Sequence, residues 1–268
     1  DRSLSEQLVR APAVLLACGG DGTVHQALQH VVGTGIPLAI APFGTGNDSA
    51  NCLGLPADPV AVAETVAAAR ADPRRYVRIV DTGQVVTADG QERAFLAVLS
   101  SGFDSVVNVR ANAMTWPRGR ARYLRAILAE LTVFTPVRYE VTLDRGLPGE
   151  RSFARRGMLV AVGNGPSYGG GMRVCPAARL DDGLLDVTFL AELPIRTFLR
   201  VFPTVYRGTH VRRSEVLTAT ARTVELAAAG QVAFADGEPV GPLPVTVRAR
   251  PRSLRVVAGH WPAPTLGP

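Results

Sequence analysis

The chain has 268 residues, 47% apolar and 19% charged, a globular composition that excludes a disordered segment throughout and a small disulfide scaffold. At about 150 residues per domain, the length allows one or two domains, each able to bury a core. The net charge is +6, from 29 basic against 23 acidic residues, and every basic residue is arginine; with no lysine present, a Schiff-base lysine, a Walker-A lysine and the strand lysine of protein kinases are all excluded.

The chain begins without Met, in what reads as the end of a helix, Leu4 to Arg10, so a preceding segment is expected. Ala13 to Cys18 is a continuous apolar run, expected as a strand buried on both faces. It stops at Gly19-Gly20-Asp21-Gly22-Thr23, after which Val24, Ala27, Leu28, Val31 and Val32 recur at helical spacing. Ile36 to Ile40 reads as a second buried strand, followed by a loop from Ala41 to Asp48. Asp58 and Pro59 cap and open an Ala-rich helix running to Arg70. Strand, loop and helix in repetition predict an α/β unit with a parallel sheet.

From Arg75 the pattern changes. Short strands are expected at Tyr76 to Val80, Gln84 to Thr87, Ala94 to Leu99, Arg138 to Leu143, Met158 to Val162, Leu184 to Leu190, Thr223 to Leu226, Gln231 to Phe234, Val245 to Ala249 and Leu254 to Val257. Gly, Pro and Asp separate them, which predicts a β-sandwich interrupted by helices at Ala121 to Phe134 and Pro194 to Tyr206. With Ala71 to Arg74 as linker, the division is 1–72 for the α/β unit, 73–252 for the sandwich, and a tail, 253–268, packing back on the first unit.

Several functional classes fall away. Cys18, Cys52 and Cys175 are odd in number and contain no C-x-x-C pair, so neither a disulfide framework nor a zinc ribbon is indicated, and a reducing compartment fits. His25 and His30 lie five apart, on different helical faces, which sets a histidine metal site aside. The apolar runs fall short of the ~20 residues of a membrane span. The wealth of Ala, Gly, Pro and Val attributes the missing lysine to GC-rich coding, while the positive balance favours anionic partners.

Two loops carry the chemistry. Gly19, Gly20, Asp21, Gly22 and Thr23 sit between a buried strand and a helix, where open α/β sheets bind ligands and glycines let main-chain N–H groups approach a phosphate. Asp21 repels phosphate unless a divalent cation or a ribose hydroxyl intervenes; the plain alternative is a glycine turn with Asp21 as helix cap. Gly44, Thr45, Gly46, Asn47 and Asp48 form a second such loop at the end of a neighbouring strand, and the pair predicts a nucleotide-phosphate cradle in one crevice. Neither loop is Walker A or G-x-G-x-x-G. By themselves, Asp236-Gly237 reads as a hairpin turn and Asp181 to Asp186 as a turn feeding a strand.

The GGDGT loop, Pro42-x-Gly-Thr-Gly-Asn-Asp48, Gly169-Gly-Gly-Met172 with Pro176 and Ala178, Asp181-Asp-Gly-Leu-Leu-Asp186, and Asp236-Gly237-Glu238 together resemble the diacylglycerol kinase catalytic family. This is the bacterial lipid kinase branch related to sphingosine kinases, and the likeness runs from Val14 to about Val257. GGDGT alone is shared with NAD kinases. The resemblance implies a Rossmann-like α/β domain of the NAD kinase and phosphofructokinase kind followed by a β-sandwich. It implies an ATP- and Mg²⁺-dependent kinase acting on a lipid hydroxyl, diacylglycerol foremost. Asp21 and Asp48 match the positions that organise phosphates and Mg²⁺, Asp236 the general base, Glu238 its companion carboxylate, and Asp181 and Asp182 a structural divalent-cation loop.

The implied partners are ATP, a lipid alcohol and, at the periphery, a membrane reached from the cytoplasm; no nucleic acid is implied, and a homodimer is compatible. Phe198, Leu199 and Phe202 are expected in the protein's own core, although Leu193 to Arg207 also mixes apolar residues with arginine as interfacial segments do. Three departures stand out. A first strand with its Asn-Pro-x-Ser/Ala-Gly loop is missing from the sequence, His25-Gln26 replaces the Asn-Glu of many relatives, and only arginines, Arg118, Arg120 and Arg122 nearest, can replace family lysines. Competing readings are a kinase for a sphingoid base, another lipid alcohol or NAD, and a nucleotide- or lipid-binding pseudokinase.

Overall fold

The computed structural model describes residues 12–116, 125–127, 129–130 and 133–259. The expected helix Leu4 to Arg10, half of the insert Ala121 to Phe134, and Arg118, Arg120 and Arg122 lie outside these residues. Strands β1 (Leu15–Gly19) and β2 (Leu38–Pro42) run parallel, Leu15 opposite Leu38 and Gly19 opposite Pro42. Between them α1 (Asp21–Val31) buries Val24, Ala27, Leu28 and Val31, the stripe its spacing predicts. β2 is buried throughout. β1, expected to be buried on both faces, is not: it ends the described sheet, and Leu16 is 48% exposed.

After a short α2 (Asp48–Cys52), α3 (Pro59–Ala71) starts where Asp58 accepts from the N–H groups of Val60 and Ala61. A single turn, α4 (Pro73–Tyr76), is capped by Asp72 and leads into β3 (Val77–Thr87). There follow β4 (Glu92–Phe95), β5 (Val98–Gly102), α5 (Phe103–Ala113), β6 (Val137–Leu143), β7 (Arg151–Gly163), β8 (Leu185–Ala191) and α6 (Ile195–Val201). The chain closes with β9 (Val216–Ala221), β10 (Thr223–Ala227), β11 (Val232–Ala235), β12 (Glu238–Pro242) and β13 (Val245–Val257). Among the described residues thirteen strands form one hydrogen-bonded network. Its mostly antiparallel part encloses the largest core, around Phe95, Tyr139, Phe189 and Leu226, and a second core joins α1 and β2 to Leu96, Leu180 and Val256.

β13 spans both cores. Its first half pairs with β10 and β3; after a register shift between Arg250 and Leu254, its end pairs with Val77–Val80 of β3 while Val256 lies beside Leu38 of β2. The buried carboxylate of Asp81 holds this kink, accepting from Arg252 N at 2.7 Å and from Gly183 N at 2.7 Å.

Four more sequence expectations change. Val245–Ala249 and Leu254–Val257, expected as two strands, form one, β13. Tyr76–Val80 and Gln84–Thr87 merge into one strand because β13 runs opposite both. The apolar run Ala94–Leu99 breaks into β4 and β5: Leu96, Ala97 and Val98 turn their N–H groups onto the carboxylate of Asp236, and buried Asn164 donates to the Leu96 carbonyl. The helix expected from Pro194 to Tyr206 gives way at Phe202 to 3₁₀ turns through Arg207, with Pro203 removing an N–H donor. The helix α5 and the strands β9 and β12 are additions.

Gly83 of β3 makes room for the ring of fully buried Phe95, which a Cβ there would strike. Gly83→Ala is expected to cost about 1–3 kcal/mol by overpacking, measured as a lower denaturation midpoint with an unchanged m-value.

Candidate active site

The two glycine loops lie at the carboxyl ends of β1 and β2, and Phe43 N donates to the Gly19 carbonyl at 3.0 Å. They touch backbone to backbone: a Cβ on Gly44 would stand 2.6 Å from the Gly20 Cα. A Cβ on Gly19 would collide with the Thr23 side chain, which lies over it. Gly20 is the N-cap of α1 and uses no side chain, so the first-turn N–H groups of the helix rim the loop. Within the second loop Asn47, at φ 52°, locks the turn, donating to the Gly44 carbonyl at 2.9 Å and accepting from Gly44 N at 2.8 Å. Its carboxamide is therefore largely committed to the loop.

Asp21 does not cap its own helix. Its Oδ1 accepts from Ser49 N at 3.0 Å, joining the first loop to the start of α2. The Asp48 carboxylate accepts from Gly170 N, with Oδ1 at 2.9 Å. Both carboxylates converge on Gly46: a Cβ there would be 3.0 Å from Asp21 Oδ2 and 3.6 Å from Asp48 Oδ2, which Gly170 N also reaches at 3.3 Å. Burial, and next the charge of Asp21, push the Asp48 carboxyl above the usual carboxylate range, against the N–H groups of Gly169, Gly170 and Gly171. Two carboxylates facing a gap that only glycine leaves open suit Mg²⁺, which takes one or two carboxylates and completes its shell with water and phosphate. Among the described residues no cluster of three or more His, Cys, Asp or Glu offers an all-protein metal cage.

Asp236, at φ 51° in the turn between β11 and β12, has a side chain 3% exposed. Its Oδ2 accepts from Leu96 N at 2.7 Å, and its Oδ1 from Ala97 N at 2.8 Å and Val98 N at 3.2 Å. Glu238, two residues on, is exposed and reaches the first turn of α1, where a Cβ on Gly22 would be 3.0 Å from its Oε1. Glu238 therefore joins the cradle and Asp236 lies behind it.

Asp181 and Asp182 stand apart from these groups. Asp181 pairs with Arg179 at 3.1 Å on the surface, and Asp182 accepts from Leu184 N at 3.0 Å, closing its own turn. Asp81, whose carboxylate ties this loop down by accepting from Gly183 N, was not singled out from the sequence. His25 was also missed as a site residue, although it directly follows Val24 of the buried α1 stripe. Among the thiols, Cys18 is exposed immediately before Gly19, whereas burial pushes those of Cys52 and Cys175 up, Cys175 to about 12.

Behind the triglycine segment lies an apolar cavity of about 60 Å³, lined by Phe103, Leu159, Met172, Phe198, Phe202 and His210 among others. Tyr168 and Met172, bridged to each other, also line it, and the glycines between them hold Asp48. The cavity therefore adjoins the carboxylate pair through one tight hairpin.

Residues 2–79 match the diacylglycerol kinase catalytic domain and residues 97–258 the YegS C-terminal NAD kinase beta sandwich-like domain. A diacylglycerol kinase of Mycobacterium tuberculosis is 41% identical over 256 residues, covering 95% of this chain and 79% of the relative. The chain belongs to the diacylglycerol kinase family. It is a lipid kinase by that membership. A YegS-like protein of Pseudomonas aeruginosa, named a probable lipid kinase, is 34% identical, covering 98% of this chain and 81% of its own. The fold is shared with a diacylglycerol kinase structure from Bacillus anthracis, at TM-score 0.66 and 18% identity, over 96% of this chain and 80% of that one.

In this lipid kinase the 181–186 loop carries a pH signature. Burial, then the charge of Asp182, raise the Asp186 carboxyl to about 6. Folding thus favours its protonated form, and the stability gained at low pH is lost as pH rises through about 6. Asp186→Asn should be more stable than the parent above about pH 7, by on the order of 1 kcal/mol after allowing for its partial exposure, and equal to it only below about pH 4, where the carboxyl is protonated in the unfolded chain as well; thermal melts across pH measure this.

Proposed function

We propose that the chain transfers the γ-phosphoryl group of ATP to the hydroxyl of a neutral lipid, diacylglycerol in the first instance, with Mg²⁺ as cofactor. The observation that carries this reading is the convergence of Asp21 and Asp48 on Gly46 inside a cradle made of two touching glycine loops. The N–H groups of both loops and the positive end of α1 face where phosphates would lie. Asp21 and Asp48 would hold Mg²⁺, which when bound neutralises charge building on the transferred group. In this reading the main-chain donors of the two loops do the orienting.

Asp236 is proposed as the acceptor of the lipid hydroxyl proton. Its carboxylate oxygens already accept three main-chain N–H bonds, so meeting a lipid hydroxyl requires it to release one, the longest being that from Val98. A second reading follows from exposure: Glu238 is free of such bonds and lies at the α1 first turn, where it could take the proton directly. Asp236→Asn also turns an amide donor toward a main-chain N–H, so its effect on the β4–β5 turn must be read alongside activity.

The cavity behind Gly169–Gly171 supports a lipid acceptor, since a hydrocarbon chain is what an apolar lining suits. At about 60 Å³ it takes only part of an acyl chain and must widen for the rest. The segment beside it is two-faced: Phe198 is buried, whereas Ile195, Leu199 and Tyr206 are each 47% exposed next to Arg196, Arg200 and Arg207. Leu199, expected in the core, therefore faces out, because Phe198 and Val201 already fill the inner side of α6. Peripheral contact with an anionic membrane is proposed through this face. Among the described residues no helix is long and apolar enough to cross one.

Radiolabelled ATP with an acceptor panel tests the reading: label in phosphatidic acid is expected, and label in NAD alone overturns it. Glu238→Gln is expected to keep more activity than Asp236→Asn, which should lose about 100-fold or more; the reverse order makes Glu238 the base. Gly44→Ala, which drives a Cβ into Gly20, should weaken ATP binding about tenfold or more by calorimetry.

A further inference from the structure

His25 is the unexplained group beside this site. It lies on α1, four residues after Asp21, and is 7% exposed. Its Nδ1 is buried and has no hydrogen-bond partner among the described residues, yet it points at Asp236, 3.8 Å from Oδ2. Its other nitrogen settles the tautomer. Gln29 Nε2 stands 3.4 Å from His25 Nε2 while donating to the Ala94 carbonyl at 2.8 Å and the His25 carbonyl at 3.0 Å, and Gln29 Oε1 accepts from Ala94 N at 2.8 Å. A protonated Nε2 would face the hydrogens of an amide. A bare Nε2 can accept from that amide instead, which favours the proton on Nδ1, directed at Asp236.

We propose that His25 is a positioning residue for Asp236, supplying a fourth donor that takes hold when the carboxylate swings from its main-chain partners toward an acceptor hydroxyl. The gap needs to close by about 1 Å to reach hydrogen-bond distance, and such bonds are commonly long before substrate binds. Among the described residues the Asp236 carboxylate is otherwise held by the three N–H groups of Leu96, Ala97 and Val98, and β4 just before them is pinned at Ala94 by Gln29. His25 and Gln29, one helical turn apart, thus couple the helix whose N-terminus rims the phosphate cradle to the carboxylate proposed to take the proton. A fourth donor lets Asp236 release one bond without being left as an unpaired buried charge. This inference rests on the reading of Asp236 as proton acceptor.

Two measurements on the full chain test it. In long-range ¹H–¹⁵N spectra of ¹⁵N-histidine-labelled protein, His25, assigned by its loss in His25→Asn, is expected in the Nδ1–H form, with its Nδ1 resonance moving in Asp236→Asn. An Nε2–H form, or an Nδ1 resonance indifferent to Asp236→Asn, overturns the pairing. In transfer from ATP to diacylglycerol in vesicles, His25→Ala is expected to lower kcat about 10- to 100-fold, the worth of a hydrogen bond to a charged group, with KM for ATP nearly unchanged. His25→Asn, whose carboxamide keeps a donor, should recover most of that loss. Full kcat in His25→Ala, or no recovery in a His25→Asn protein that melts like the parent, overturns the positioning role. If the parent transfers phosphate to no lipid, the kinase reading of this chain fails, while the spectra still decide whether His25 and Asp236 are paired.

Discussion

A carboxylate taken out of water must be met by donors, and in this chain the main chain meets it. Asp21 is held by Ser49 N, Asp48 by Gly170 N, Asp81 by Gly183 N and Arg252 N, and Asp236 by the N–H groups of Leu96, Ala97 and Val98. Asp144 does the same for Arg222 and Thr223. Each bond joins segments far apart in sequence, Asp48 to Gly170 across 122 positions and Asp236 to Leu96 across 140. A surface ion pair between flexible side chains would fix far less, because both partners lose rotamer freedom and remain screened.

The same bonds shape the electrostatics of the cradle. With Asp21, Asp48 and Glu238 gathered at the α1 N-terminus, the site is acidic in its side chains and positive only in its backbone dipoles. An anion alone would be repelled by that set and a cation alone would lack part of its shell. On the proposed reading, a phosphate chain carrying a divalent cation would satisfy both, which is how a lysine-free sequence could build a nucleotide site of this kind.

The glycine loops were legible because their chemistry is local: a buried run, a glycine-rich turn and a helical stripe lie within a few dozen residues. Asp58 before Pro59 likewise announced α3. What escaped the sequence depends on partners far away. Nothing in Ala94–Leu99 signals a break, since the group that bends it is Asp236. The helix α5, which was not expected, does show Phe103, Val107 and Ala111 at one-turn spacing. β12 hides behind two prolines and a glycine that suit a strand bearing a bulge in its pairing with β11. Within the site, the positions of Asp21 and Asp48 were readable, whereas their bonds to Ser49 and Gly170 and the nearness of His25 to Asp236 were not.

The unequal burial of the three cysteines has a practical side. Cys52 is half-buried and Cys175 buried, and burial pushes both thiols up out of reactive range, while Cys18 is exposed at the lip of the first glycine loop. A thiol-selective fluorophore would therefore settle at one address, beside Gly19, without any engineered substitution. The protein carries its own attachment point for an optical reporter of what enters the cradle.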